Sequence, residues 1–266
     1  LHDFIIRILK QPKGIYASIA AVLFLGCLLQ SPVALLNADF SHISILALSV
    51  SVASGSFFAL AGISLYKAFI NGPIKLVAPI VGGYPVFSLI FSSLNGNLPN
   101  GIQVGAVIII VICAGYVAAS KEENEGALAN KKSAILWAVL SSFGFASSFA
   151  LGQYASNLSD QYALLLPNRI SALIALILIA KYLNKPIVPD LSEWRIFALM
   201  ALLDAVAQGF VISSGKLEFP VYASISASLF GLVTILLAAF FLREKISSKQ
   251  WIAILLVFVG LTILSY

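Results

Sequence analysis

The sequence predicts an all-α fold, a polytopic membrane helical bundle made of two inverted repeats of about five transmembrane helices. Three observations predict it. Nine apolar stretches fill the chain from Ile15 to Tyr266, each near the roughly 20 residues that a helix needs to cross the hydrocarbon. Basic residues collect in every second gap between those stretches, and one segment of sequence returns 147 residues later in a recognisable second copy. Composition agrees: 60% of residues are hydrophobic, only 10% are charged, and the mean hydropathy is +1.00. A soluble domain has close to a quarter of its residues charged and would not hide this much apolar surface in 266 residues.

The pattern places spans at 15–36, 44–68, 73–94, 101–119, 133–154, 162–183, 194–214, 219–242 and 248–266. Helices are required because no water is present in the bilayer to bond the backbone. Arg7, Lys10 and Lys13 precede the first span, so residues 1–14 read as a cytoplasmic connection. The second span is rich in small residues. Pro79, Gly82, Gly83 and Pro85 interrupt the third, which predicts a hinge because proline removes a helix bond and glycine tolerates a bend. Tyr84 lies in that weak stretch and either points at a bound solute or fills the space the glycines leave. Gln103 opens the fourth span, and a cytoplasmic linker at 121–132 follows it.

Trp137, Ser141, Gly144 and Ser148 recur at helical spacing in the fifth span, while Gln153, Tyr154 and Asn157 crowd its far end. A stripe of small residues usually marks close helix packing. The polar group of Gln153, Tyr154, Asn157 and Asn168 is the better candidate for a cavity. In the sixth span Pro167 bends the approach to Asn168 and Arg169, and in the seventh Asp204 and Gln208 lie one turn apart on one face. Ser224, Ser228 and Gly231 form a stripe in the eighth, and Gln250 opens the ninth.

Net charge is +5 and the pI near 9.2, yet the basic residues follow topology and not a polyanionic ligand such as nucleic acid. With Lys67, Lys75, Lys121, Lys131, Lys132, Lys181, Lys185, Arg195, Arg243, Lys245 and Lys249 added to the first three, 14 of 16 lie on one side, against Lys216 in the alternate gaps. The positive-inside rule makes that side cytoplasmic and puts Tyr266 outside. The expected location is a bacterial inner or plasma membrane. Cys27 and Cys113 fall inside spans and read as small apolar residues, and His2 and His42 have no acidic or cysteine cluster beside them, so no metal or cofactor is expected.

The stretch PIKLVAPIVGGYPVFSLIF from Pro73 is matched by PVYASISASLFGLVTILLAAF from Pro220; Gly62 pairs with Gly209 and Gln103 with Gln250 at the same offset. The division is then a first repeat at 15–120 with four visible spans and a second at 133–266 with five. An odd number of spans per copy inserts the second upside down. Since the chain begins at Leu1, truncation upstream is the simplest account of the missing first span; a natural nine-span protein is the alternative.

These paired segments, with LYKAFINGP before the first and SSGKLEFP before the second, resemble the repeats of the drug/metabolite transporter superfamily, EamA type. The resemblance covers most of the chain from about residue 44. It departs in the first copy, where Asn95, Gly96 and Asn97 stand in place of the family's frequent Gly-Glu, and no Arg occurs early in the first span. It implies a permease for amino acids or related polar metabolites.

Arg169 and Asp204 are the costliest side chains, since an ionised group in mid-membrane costs about 2.5–3.5 kcal/mol on insertion scales. Either they form a structural ion pair, or Arg169 holds an anionic group of a solute while Asp204 takes a proton or an ammonium. No Gly-x-x-x-x-Gly-Lys phosphate loop followed by Ser or Thr occurs, so pumping would draw on gradients. The expectation is a secondary transporter, not an enzyme, moving a small polar metabolite by alternating access in a lipid bilayer, with protons as the candidate coupling ion. The pattern is neutral between monomer and homodimer. The rivals are a structural or assembly subunit, and a membrane enzyme, which would need an acid, base or metal set at a bilayer face.

Overall fold

Each apolar run forms helix, and the polar residues at its edges decide where the helix begins. The computed structural model describes Ile5 and residues 14–41, 43–94, 98–119, 131–217 and 220–264. Arg7, Lys10, Lys13, Asn95–Asn97, Lys121, Tyr266 and both histidines lie outside the described residues. Among the described residues the chain is helical throughout: α1 Ile15–Asn37, α2 Ile45–Asn71, α3 Ile74–Gly82, α4 Tyr84–Leu94, α5 Gly101–Ala119, α6 Lys131–Leu158, α7 Gln161–Tyr182, α8 Trp194–Ser213, α9 Pro220–Ser228, α10 Phe230–Phe241 and α11 Ser248–Ile263. Seven spans are long and apolar enough to cross a membrane, with α3 and α4 forming one and α9 and α10 another; α5 and α11 are shorter apolar helices. The chain is an integral, multi-pass membrane protein.

Caps fix several starts. Ser44 accepts from the Ala47 amide and Asp160 from the Ala163 amide, each at 2.9 Å. Ser247 and Gln250 form a reciprocal capping box at α11, and Asn100 and Gln103 exchange the same two bonds at α5. The matched glutamines of the two copies therefore act alike, each tying off the amides of the helix it opens. At the end of α7 Asn184 turns left-handed at φ 52°, and the Lys185 amide returns to the Ala180 carbonyl at 2.8 Å.

The small-residue stripe of the fifth span packs backbone to backbone. Ser141 donates to the Ala61 carbonyl at 3.0 Å, Ser54 to the Ser148 carbonyl at 2.7 Å, and Gly72 faces Ala134, so α2 and α6 run antiparallel. A Cβ on Gly144 would lie 2.9 Å from Ala61 Cβ. Against α7, by contrast, α2 runs parallel: Ser51 donates to the Leu164 carbonyl at 3.0 Å, and Gly55 faces the Asn168 carbonyl. Close approach of this kind is what membrane helices use in place of a hydrophobic drive.

The two broken spans cross at the centre. The break after α3 falls at Gly83, inside the Pro79–Pro85 stretch. A second break, at Leu229, has no proline behind it: Ser228 donates to the Ile225 carbonyl at 2.6 Å, and the Leu229 and Leu232 amides take carbonyls three residues back, a tightened turn. There Gly82 faces the Ser228 carbonyl at 3.1 Å from its added Cβ, and Gly231 faces the Ala78 carbonyl at 2.9 Å. First half meets second half: α3 packs on α10 and α4 on α9. Likewise the start of α5 meets the end of α11, where Gln103 donates to the Leu264 carbonyl at 3.2 Å. Equivalent spans of the two copies thus run in opposite directions.

The basic residues gather at one end. Lys67 sits over the Trp137 ring at 4.1 Å, and Lys75 donates to the Lys245 carbonyl at 2.7 Å. Glu244, from the turn after α10, accepts the Ile74 and Lys75 amides at 3.0 and 3.1 Å and so caps α3 from the other copy.

Replacing Gly144 by Val should destabilise the protein by about 1–3 kcal/mol through overpacking against α2. Gly105→Ala, at a glycine with nothing within 4 Å of the added Cβ, should leave the protein unchanged or raise its melting temperature slightly. Thermal melting in detergent separates the two.

Candidate functional site

The costliest residues meet inside the bundle. Arg169 Nη1 donates to Asp204 Oδ2 at 2.5 Å, with side-chain exposures of 0% and 16%. The guanidinium carbon lies 5.2 Å from the centre of the Phe58 ring, Nε points at Gln30 Oε1 at 3.5 Å, and the stem runs over Gly26. Gln30 in turn donates to the Ala205 carbonyl at 3.1 Å. Three helices, α1, α7 and α8, are thereby joined through one cation. Arg169 Nη2 has no hydrogen-bond partner among the described residues.

Asn168 carries the network sideways. It donates to Ser54 Oγ at 2.7 Å and to the Ser51 carbonyl at 3.3 Å, while Gln208 donates to its Oδ1 at 3.0 Å. Ser54 passes its own proton to the Ser148 carbonyl of α6. Pro167 lies inside α7 just before this pair of residues, where a proline leaves one backbone carbonyl without its amide.

Beside the ion pair is a cavity of about 350 Å³. Asp204 and Gln208 form its polar edge, and Phe58, Tyr84, Phe145, Phe149 and Phe230 much of its wall. Tyr84, the first residue after the Gly83 break, is fully buried, and its hydroxyl donates to the Ser224 carbonyl across the crossing. Its ring sits edge-on to Phe149 at 5.3 Å. It both fills the space at the break and borders the cavity.

Other sequence candidates lie apart. Gln153 does not line this cavity; its amide nitrogen contacts the Val211 and Pro220 carbonyls and the Ser214 and Ser224 hydroxyls at 3.1–3.2 Å, tying α6 to α8 and α9. Tyr154 is half exposed and Asn157 exposed, so the group of Gln153, Tyr154, Asn157 and Asn168 is not brought together. Trp137 stands at the basic end beneath Lys67. Sequence reasoning passed over Gln30, although it is the sole amide of its span. The aromatic wall also escaped it, because Phe58, Phe145 and Phe149 look like ordinary apolar residues until folding brings them to one space.

A buried pair broken on one side leaves an uncompensated charge. Asp204→Asn alone should cost about 3–5 kcal/mol, whereas Arg169→Met combined with Asp204→Leu should recover most of that loss. A double-mutant cycle on detergent unfolding checks this; equal losses in single and double variants would refute the pairing energy.

Among curated proteins none is similar enough to the chain to count as a match. A family model described as the EamA-like transporter family matches residues 132–266, half of the chain.

Proposed function

The chain belongs to the EamA-like transporter family, part of the drug/metabolite transporter superfamily, and from that premise we propose a secondary carrier for a small organic metabolite. The observation that carries the reading is the cavity itself: an acid and an amide at the edge of a mainly apolar, aromatic space lined by helices from both halves of the chain. An intramembrane carboxylate beside such a space marks a solute or ion path more often than a packing device.

In this reading residues 15–120 and 133–266 are the two repeats, joined by 121–132, and they rock about the Gly83 and Leu229 breaks to expose the cavity to each side in turn. Inverted repeats with broken helices at mid-membrane support that motion. Asp204 and Gln208 bind the solute, while Arg169, Asn168 and Gln30 hold them in place. The basic end is cytoplasmic. Movement is driven by a gradient, and proton coupling through Asp204 would draw on about 2.3 kcal/mol per charge per 100 mV, roughly a fifty-fold gradient.

Counterflow in proteoliposomes tests the carrier reading. A library of labelled amino acids and amines should yield a saturable flux, and Ala207→Trp, which fills the cavity from its α8 wall, should abolish it while the protein still folds. Flux that survives Ala207→Trp would place the path elsewhere. With Cys27 and Cys113 replaced by alanine, a cysteine at Lys185 should react with an impermeant maleimide only from the cytoplasmic side; reaction from outside reverses the orientation.

A further inference from the structure

We infer that the cavity takes the ammonium or amine end of an amphipathic solute with an aromatic or branched apolar body, and that it disfavours anions. This rests on the carrier reading above and narrows its substrate class.

Arg169 and Asp204 do not share the cavity equally. Asp204 lines it with a partly exposed side chain, whereas Arg169 is fully enclosed and is not part of the wall. The guanidinium approaches the carboxylate from behind, held by Gln30, the Phe58 face and the Gly26 backbone. It binds Oδ2, and Asp204 Oδ1 takes no donor among the described residues. A solute therefore meets the negative member of the pair first.

The neighbouring amide has the same sense. Asn168 Nδ2 is committed to the Ser51 carbonyl and Ser54 Oγ, which fixes its Oδ1 as an acceptor and obliges Gln208 to donate through Nε2. What Gln208 has left to offer is Oε1 and the second N–H of its amide. The Tyr84 hydroxyl is spent on the Ser224 carbonyl. The polar edge thus presents Asp204 Oδ1 and Gln208 Oε1 as acceptors, and the carboxylate is the one formal charge among the described lining residues. A carboxylate or phosphate brought there would face Asp204 unpaired, while an ammonium would find charge-assisted bonds to two oxygens.

The remaining wall suits the rest of such a molecule. Phe58, Phe145, Phe149 and Phe230 offer apolar area and ring faces that attract a cation. About 350 Å³ lies within the range of small-ligand pockets.

Three probes that share one ring test the assignment on the purified full chain in nanodiscs: phenethylamine, phenylalanine and phenylacetate. The quantity read is the binding component lost in Ala207→Trp. Phenethylamine should bind at least tenfold more tightly than phenylacetate, and Asp204→Asn should erase that preference. Because Asp204→Asn also strips Arg169 of its counter-charge and so endangers folding, Gln208→Leu serves as a second variant and should weaken phenethylamine severalfold and phenylacetate less. Phenylacetate binding equal to or tighter than phenethylamine overturns the inference and leaves the carrier standing. If none of the three binds and the solute library in counterflow gives saturable, Ala207→Trp-sensitive flux only for anions, the inference alone falls. Absence of any such flux removes the carrier reading as well.

Discussion

A polar group inside a bilayer finds no water, so it costs free energy unless another part of the chain answers it, and this constraint governs where the helices of this protein touch. Serine hydroxyls on α2 and α6 reach carbonyls of neighbouring helices, as Ser54 does to Ser148 and Ser141 to Ala61. Asn168 and Gln208 answer one another between α7 and α8. The largest instance is Arg169, which is fully buried and draws on an acid, an amide and a ring from three different helices. Interhelical bonds of this kind are individually modest in membranes. Their number, and the penalty for leaving any of them unmade, is what selects one arrangement of otherwise similar apolar helices.

Much of this was legible in the sequence because it depends on local pattern. Span positions follow from apolar run length, and the helix starts at Gln103 and Gln250 from residues three positions apart. The pairing of Arg169 with Asp204 was accessible because the two charges are so costly that each needs the other nearby. Span parity predicts inversion of the copies, and the broken spans pack α3 on α10 and α4 on α9. What stayed hidden depends on contacts between distant segments. Gln30 and Arg169 are 139 residues apart, and nothing local tells an amide which cation it will meet. The Leu229 break likewise has no proline to announce it. The signal was the repeat register, which places Leu229 opposite Gly82, one residue before the first break. The polar far end of the fifth span misled for a related reason: Gln153 turns inward to α8 and α9, whereas Tyr154, its neighbour in sequence, necessarily turns outward on a helix.

The placement of Arg169 behind Asp204 bears on how a carrier of this kind would avoid a trap. An isolated carboxylate on the cavity wall would hold a cation too firmly to release it, and its cost when empty would be large. With Oδ2 on the guanidinium the empty site is already neutral. In the proposed carrier an entering ammonium would compete for a carboxylate that is half satisfied, so binding and release would differ by less. Arg169 Nε also reaches Gln30 Oε1 at 3.5 Å.

The crossing of the broken spans gives the two ends of the bundle separate closures. At the basic end α3 meets α10, and Glu244 ties the first turn of α3 to the other copy through two amides. At the opposite end α4 meets α9, joined by the Tyr84 hydroxyl on the Ser224 carbonyl and by Gln153 on Ser224 and Pro220. Each set of contacts thus uses one half of a span from each half of the chain, and the halves change over at Gly83 and Leu229. A rigid span would carry any displacement at one end through to the other. In the proposed carrier a span divided at its midpoint would let the Glu244 contacts part while the Tyr84 contacts hold, or the reverse, with the cavity and its acid lying between them.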